Sequence, residues 1–254
     1  MQRCSVFARI LAGTLVILVA RVATASAYPG GINLSWNDCG PWGTLSKTFA
    51  CTSNTLSGAI LIASAIAPVQ VDQLNGQESE IQIQTNQVTL SPWWHLESGG
   101  CRGTAISASF DFTGGPFNCL DPWSGQAAGG MNYVAGYPGP NRAQLRTICA
   151  IAGSTSITGI DEYYFFKITL LGQKSTGTGS CAGCADGACI VFKSIKLTEP
   201  AGVGDYTLTD PITRQYVTFQ PGGNLSGQCP PIEDIFPTRA SRATTWGSVK
   251  SLYR

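Results

Sequence analysis

Charge, histidine and catalytic motifs are scarce in this sequence. Charged residues make up 12% of the 254 residues, about half the usual share. His95 is the single histidine, and no G-x-S-x-G nucleophile pattern is present. A hydrolytic triad needs a base, usually histidine, so this scarcity argues against a serine or cysteine hydrolase. We interpret His95, which follows Trp93 and Trp94, as a packed or surface residue.

Long apolar runs are also missing, except for a short one near the start. Residues 10–20 (ILAGTLVILVA) are too few to span a bilayer as a stable helix. Arg3 and Arg9 precede this run, and residues 25–27 (Ala-Ser-Ala) supply a small-x-small cleavage pattern. The sequence therefore predicts a secretory signal peptide over residues 1–27, cut before Tyr28, and a protein that is secreted or held at the cell surface.

The remaining chain carries little net charge and no membrane-spanning segment. Serine, glycine and proline interrupt its most apolar stretch, residues 55–71. Removing Arg3, Arg9 and Arg21 with the signal peptide leaves 13 basic and 15 acidic residues, a formal charge of −2. A surface of this kind does not attract polyphosphates, so nucleic acid is not an expected partner.

Nine cysteines follow the predicted signal peptide, which points to a disulfide-stapled exported protein. The odd count leaves one unpaired, and Cys149, in the apolar run 148–151, is the candidate for a buried free thiol. The other eight are predicted to form disulfides: Cys39, Cys51, Cys101, Cys119, Cys181, Cys184, Cys189 and Cys229.

Sequence cannot fix how these cysteines pair, but loop context favours neighbours. Cys39 and Cys51 flank a short loop, and Cys101 and Cys119 flank one strand with its turn. Residues 181–189 contain three cysteines within one turn. This cluster also allows a zinc site, but its spacing does not match paired zinc knuckles and exported thiols oxidise. We therefore expect cystines and no metal or other cofactor.

Short runs of alternating or branched apolar residues predict strands. Gly- and Pro-rich turns separate these runs, and helix start and stop signals are scarce. The pattern indicates an all-β, disulfide-stapled antiparallel β-sandwich, with few or no helices apart from the signal peptide and the C-terminal tail. The predicted strands cover residues 56–67, 80–85, 105–112, 145–152, 162–171, 189–197 and 216–219.

Composition divides the rest of the chain. Residues 118–140 hold many glycines and are predicted to form a long loop, of the kind that often carries function. The sandwich domain is predicted over residues 28–231. A proline-broken linker, 232–243, then leads to an acid-free segment, 244–254, which we interpret as a small tag-like tail.

Aromatic residues in polar, glycine-rich surroundings are the most suggestive feature for function. Exposed rings stack on sugar faces, whereas buried rings plug the ends of a sandwich, and the sequence leaves both interpretations open. The aromatic residues in question are Trp36, Trp42, Trp93, Trp94, Trp123, Tyr133 and Tyr137. The predicted binding residues are Trp93, Trp94 and Trp123, with Tyr133 and Asp121 beside them.

Several stretches resemble a group of uncharacterised exported bacterial proteins. The similarity is carried by Pro92-Trp93-Trp94 with Gly100-Cys101-Arg102, Cys119 to Trp123 with residues 125–130, Cys181 to Cys184 with 189–191, and the ending 245–254 (TWGSVKSLYR). It implies export and a shared fold. It carries over no functional residue, because no activity is assigned to that group. The shared ending suggests a sorting or attachment tag.

The sequence as a whole favours a non-enzymatic binding or structural module. The expected partner is a polysaccharide or another cell-envelope component, contacted through the loop aromatics. One alternative is a secreted polysaccharide hydrolase that uses carboxylates such as 161–162 or 233–234. Another is a structural subunit of a surface layer.

Overall fold

The computed structural model of the chain describes residues 30–55, 59–116 and 119–221. The predicted signal peptide, linker and tail, and Cys229, lie outside these described residues. Within them, no helix has the length and apolar character that a bilayer crossing requires.

The described residues form two β-sheets. The first has the strand order β1-β3-β8-β5, and the second has the order β2-β11-β9-β4-β7-β6 with β10 also paired to β9. The strands are β1 Gly31–Trp36, β2 Ser46–Lys47, β3 Ala59–Ile66, β4 Val71–Thr85, β5 Ile106–Ser109, β6 Ala128–Ala135, β7 Arg142–Ile157, β8 Tyr163–Leu170, β9 Ala188–Thr198, β10 Tyr206–Leu208 and β11 Tyr216–Phe219. All pairings between these strands are antiparallel except that of β2 with β11. The predicted disulfide-stapled all-β sandwich is confirmed, and the described residues contain no α-helix, only two single-turn 3-10 segments.

The core lies between the sheets because the strands alternate apolar and polar residues. In β1, Ile32, Leu34 and Trp36 belong to the hydrophobic core, while Asn33 and Ser35 occupy the intervening positions. The indole N–H of Trp36 donates to the backbone carbonyl of Thr218 at 2.9 Å, so this core ring also ties the first sheet to β11.

One predicted loop is wrong. Residues 118–140 contain β6, Ala128–Ala135, which pairs along its whole length with β7. Glycine allows this approach, since a Cβ atom on Gly129 would lie 2.1 Å from the carbonyl oxygen of Ile148. A Gly-Gly pair normally signals a turn, but here it lets one strand approach its neighbour closely.

The disulfides join segments far apart in sequence. Cys39 bonds to Cys119 and Cys101 to Cys181, each across 80 residues, and Cys51 bonds to Cys184 across 133 residues. The predicted neighbour pairs Cys39–Cys51 and Cys101–Cys119 are therefore wrong, because the fold brings distant loops closer than successive ones. Cys189 is also disulfide-bonded. Cys149 is a free, buried thiol.

Candidate functional site

The aromatic residues predicted to bind a ligand lie in the interior. Trp93, Trp94 and Trp123 are fully buried, and Tyr133 is 7% exposed. The rings of Trp93 and Trp94 lie 5.2 and 5.1 Å from the ring of Phe219. The expectation that these side chains offer free ring faces is wrong: they plug the sandwich, the other interpretation that the sequence allowed.

The polar groups of Trp93, Trp123 and Tyr133 are hydrogen-bonded inside the protein, whereas the buried indole N–H of Trp94 has no partner among the described residues. The Trp123 indole N–H donates to the carbonyl oxygen of Phe165, and the Tyr133 hydroxyl donates to the carbonyl oxygen of Trp94 at 2.7 Å. Asp121 accepts hydrogen bonds from the backbone N–H groups of Trp123 and Gly125, so its carboxylate shapes a turn. In the described part of the chain, no cluster of His, Cys, Asp or Glu is placed to hold a metal ion.

The carboxylates considered for hydrolysis are held apart by separate partners. Asp161 accepts from the Thr158 hydroxyl, whereas Glu162 accepts from the Asn33 amide at 2.7 Å and the Ser64 hydroxyl at 2.5 Å. Burial, together with the neighbouring Glu162 carboxylate, raises the pKa of Tyr164. The pair at 233–234 lies outside the described residues. Glu162 thus serves as an acceptor for buried polar groups.

His95 pairs with a single carboxylate. Its Nδ1 lies 2.7 Å from Oε1 of Glu97 in the loop after the Pro92–Trp94 turn. The structure shows no hydroxyl or thiol hydrogen-bonded to this imidazole, so a nucleophile–base pair is not formed there within the described residues.

In the described part of the chain, two aromatic side chains are largely exposed. Trp42 is 72% exposed and Tyr137, in the β6–β7 turn, is 51% exposed. The Trp42 loop is anchored on one side by the Cys39–Cys119 disulfide. On the other side Arg214 donates to the carbonyl oxygens of Gly40 and Gly43. A rigidly held, exposed tryptophan loses little freedom when it stacks on a ligand.

A groove of about 650 Å³ lies on the second sheet, on the face away from the first sheet. Glu78 and Glu80 of β4 stand in its centre, with Ser194 and Lys196 of β9 opposite them on one side and Arg146 and Ile148 of β7 on the other. The groove is lined by Glu78, Ser79, Glu80, Gly130, Met131, Asn132, Arg146, Thr147, Ile148, Ser194, Lys196 and Thr207.

Opposite charges balance along this groove. Glu80 lies 3.4 Å from Arg146 and 3.5 Å from Lys193, and Glu78 lies 3.1 Å from Lys196. Lys196 also lies 3.8 Å from Asp205. Hydrogen-bond donors and acceptors therefore alternate along the groove, and neither positive nor negative charge is in excess.

Sequence reasoning missed the groove for a physical reason. Strand alternation predicts that Glu80 and its even-numbered neighbours share one face, and the structure confirms this prediction. Which strands lie beside β4 depends on long-range pairing with β7 and β9, and no local pattern reports that pairing. The β-bulge between Glu80 and Ile81 also shifts the register against β9.

Comparisons with known proteins place few constraints on this chain. No protein-family model matches it, and no curated protein matches it. Among solved structures, the chain is similar to a cohesin module from a Clostridium perfringens ATCC13124 family 33 glycoside hydrolase, at 9% sequence identity and a TM-score of 0.33. The alignment covers 75% of this chain and 96% of that module. The similarity is too distant to bear on function.

Proposed function

We propose that the protein is an exported, non-enzymatic binding module that holds a polysaccharide in the groove on its second sheet. The observation that supports this most directly is the groove itself, whose volume of about 650 Å³ falls in the range of ligand sites. The three disulfides between described residues support export, since such bonds persist in oxidising compartments.

The lining suits a ligand rich in hydroxyl groups. Sugar hydroxyls both donate and accept, so they match the carboxylates of Glu78 and Glu80 as well as the cationic side chains of Arg146 and Lys196. Ile148 is 57% exposed and offers an apolar contact for the C–H face of a sugar ring. A phosphate polymer fits less well, because two carboxylates stand in the middle of the groove.

Binding is favoured over hydrolysis by the partners of these carboxylates. A glycosidase pairs one carboxylate with a protonated carboxyl group that acts as the acid. Glu78 and Glu80 each contact a lysine, and Glu80 also contacts Arg146. Both carboxylates are thus engaged as ion-pair partners on the groove surface, an arrangement that suits recognition of hydroxyls.

The proposal is tested by affinity electrophoresis through a panel of neutral and acidic polysaccharides. Glu80→Gln is expected to weaken retention about tenfold, as loss of a charge-assisted hydrogen bond predicts. Asp72→Asn, on the same strand but outside the groove, is the matched control and is expected to bind as the parent does.

Two outcomes contradict the proposal. One is a parent protein that no polysaccharide retards, and the other is a Glu80→Gln variant retained as strongly as the parent. Release of new reducing ends during the same incubation would favour the hydrolase instead.

A further inference from the structure

Strand β6, Ala128–Ala135, forms an open edge of the second sheet. It pairs with β7 on one side and stands at the end of the strand order. In the described part of the chain, no strand pairs with its other side. An edge of eight residues with unpaired backbone groups is a template for a further strand.

The other sheet edges are short or covered. Strands β2, β10 and β5 have two, three and four residues. The outer edge of β1 bonds to the segment 210–214: Ile32 N–H donates to the Asp210 carbonyl at 2.9 Å, and Leu34 N–H donates to the Arg214 carbonyl at 3.0 Å. Among the described strands that stand at the end of a sheet, β6 is thus the one long edge without such cover.

Nothing in β6 discourages pairing. Its sequence, AGGMNYVA, contains no charged residue and no proline, the usual devices that protect an edge. Most of its residues are at least partly exposed. Neither charge, proline nor burial therefore protects this edge from an added strand.

We propose that β6 pairs with β6 of a second copy of this chain, antiparallel about a two-fold axis at Met131. This register keeps each sheet face continuous, since opposed residues then have the same parity. It sets Ala128 against Val134 of the second copy, Gly129 against Tyr133 and Gly130 against Asn132. Small residues in one half of the strand face larger ones in the other half, so the edge is self-complementary as an isologous dimer requires.

This dimer changes the groove. Gly130, Met131 and Asn132 line the groove on the β6 side, so the two-fold axis joins two grooves into one longer surface. If the groove holds a polysaccharide, one polymer chain engages both copies and gains avidity without new contacts. This consequence rests on the proposed function, whereas the dimer does not.

Sedimentation of the processed, oxidised protein without polysaccharide tests the dimer separately from ligand binding. The parent is expected to approach twice the monomer mass as its concentration rises. The double variant Gly130→Lys/Asn132→Lys places four lysines around the two-fold axis and is expected to stay monomeric, because like charges across a strand pair repel. Val88→Lys/Val203→Lys adds the same charge at exposed sites outside β6 and is expected to dimerise.

Oxidative cross-linking tests the register. In the double variant Gly130→Cys/Asn132→Cys, the thiol at position 130 lies opposite the thiol at position 132 of the second copy. This variant is expected to give a covalent dimer on non-reducing electrophoresis, whereas Gly130→Cys alone is not. A parent that remains monomeric at all concentrations would overturn the proposal. So would a lysine double variant that dimerises as the parent does, or single and double cysteine variants that cross-link equally.

Discussion

The guanidinium carbon of Arg102 lies 3.5 Å from the centroid of the Trp93 indole ring. Arg102 is buried, and its three nitrogens donate to the backbone carbonyl oxygens of Trp93, Leu171 and Gln173. Burial lowers the pKa of Arg102 to about 9, which still leaves the side chain charged at neutral pH. One cation thus fastens the Trp93 loop to the segment after β8.

Replacing Arg102 with Met is expected to lower the free energy of unfolding by about 3 kcal/mol, because buried carbonyl groups lose their donors. Arg102→Lys should recover only part of this loss, since an ammonium group cannot reproduce the planar fork or the stacking on Trp93. Urea unfolding measures both. Arg146→Met, at a side chain that is 61% exposed, is the control and should change the free energy by about 0.5 kcal/mol or less. Equal losses at positions 102 and 146 would contradict the role assigned to Arg102.

Trp93 and Trp42 are expected to contribute very differently to stability, because the first is buried and the second is exposed. Trp93→Ala removes a buried ring packed against Phe219 and Trp94, and it is expected to cost about 3–5 kcal/mol of folding free energy. Trp42→Ala removes a ring that is 72% exposed and should cost about 0.5 kcal/mol or less. Thermal unfolding provides the comparison.

The Trp42→Ala variant also tests whether its loop contributes to ligand binding. Weaker retention on polysaccharide with unchanged stability would show that Trp42 takes part in recognition. Unchanged retention would restrict binding to the groove.

Local alternation was sufficient to predict most of the strands. The segment 216–219 is β11 as predicted, 162–171 contains β8, and 56–67 contains β3. The strands β1, β2, β6 and β10 were not predicted, and β6 shows why local patterns are insufficient. Its paired glycines resemble a turn, and only the approach to Cys149 and Ile148 of β7 explains them.

Dependence on long-range contacts also explains the errors at the candidate site. Trp93 and Trp123 follow proline and stand among polar residues, a context typical of exposed loops. Their burial depends on Phe219 and Phe165, which lie 126 and 42 residues away in sequence. Disulfide pairing depends on such distant contacts as well, whereas the buried free thiol at Cys149 followed from its local apolar run.

Removing the Glu162 carboxylate should destabilise the first sheet. Asn33 and Ser64 are buried and donate to its Oε1 atom, so Glu162→Ala leaves two donors unpaired at an expected cost of about 2–4 kcal/mol. Glu162→Gln retains an oxygen acceptor and should cost clearly less. Chemical denaturation of the two variants checks this difference, and similar losses in both would show that charge, not hydrogen bonding, is what Glu162 supplies.

Cys149 should make stability depend on alkaline pH. Burial raises the pKa of its thiol from 9.0 to about 12, against a smaller opposing effect of hydrogen bonds with Gln77. Between these values the folded state binds more protons than the unfolded state, so this contribution is complete below pH 9 and is lost as the pH rises toward 12. The free energy of unfolding of the parent should therefore fall more steeply with pH than that of Cys149→Ala, by up to about 1.4 kcal/mol per pH unit. Burial also raises the pKa of Tyr133. Because Tyr133 is present in both proteins, subtracting the two curves removes its effect.

Thiol labelling checks the same burial independently. Maleimide at neutral pH should leave Cys149 unmodified in the folded protein and modify it in denaturant without reductant, as peptide mapping would show. Rapid labelling of Cys149 in the folded state would mean that β7 opens readily at its contact with Gly129 of β6. A monomer that opens there would also be a poor template for the proposed strand pairing, so the labelling rate should slow further as protein concentration, and with it the dimer, increases.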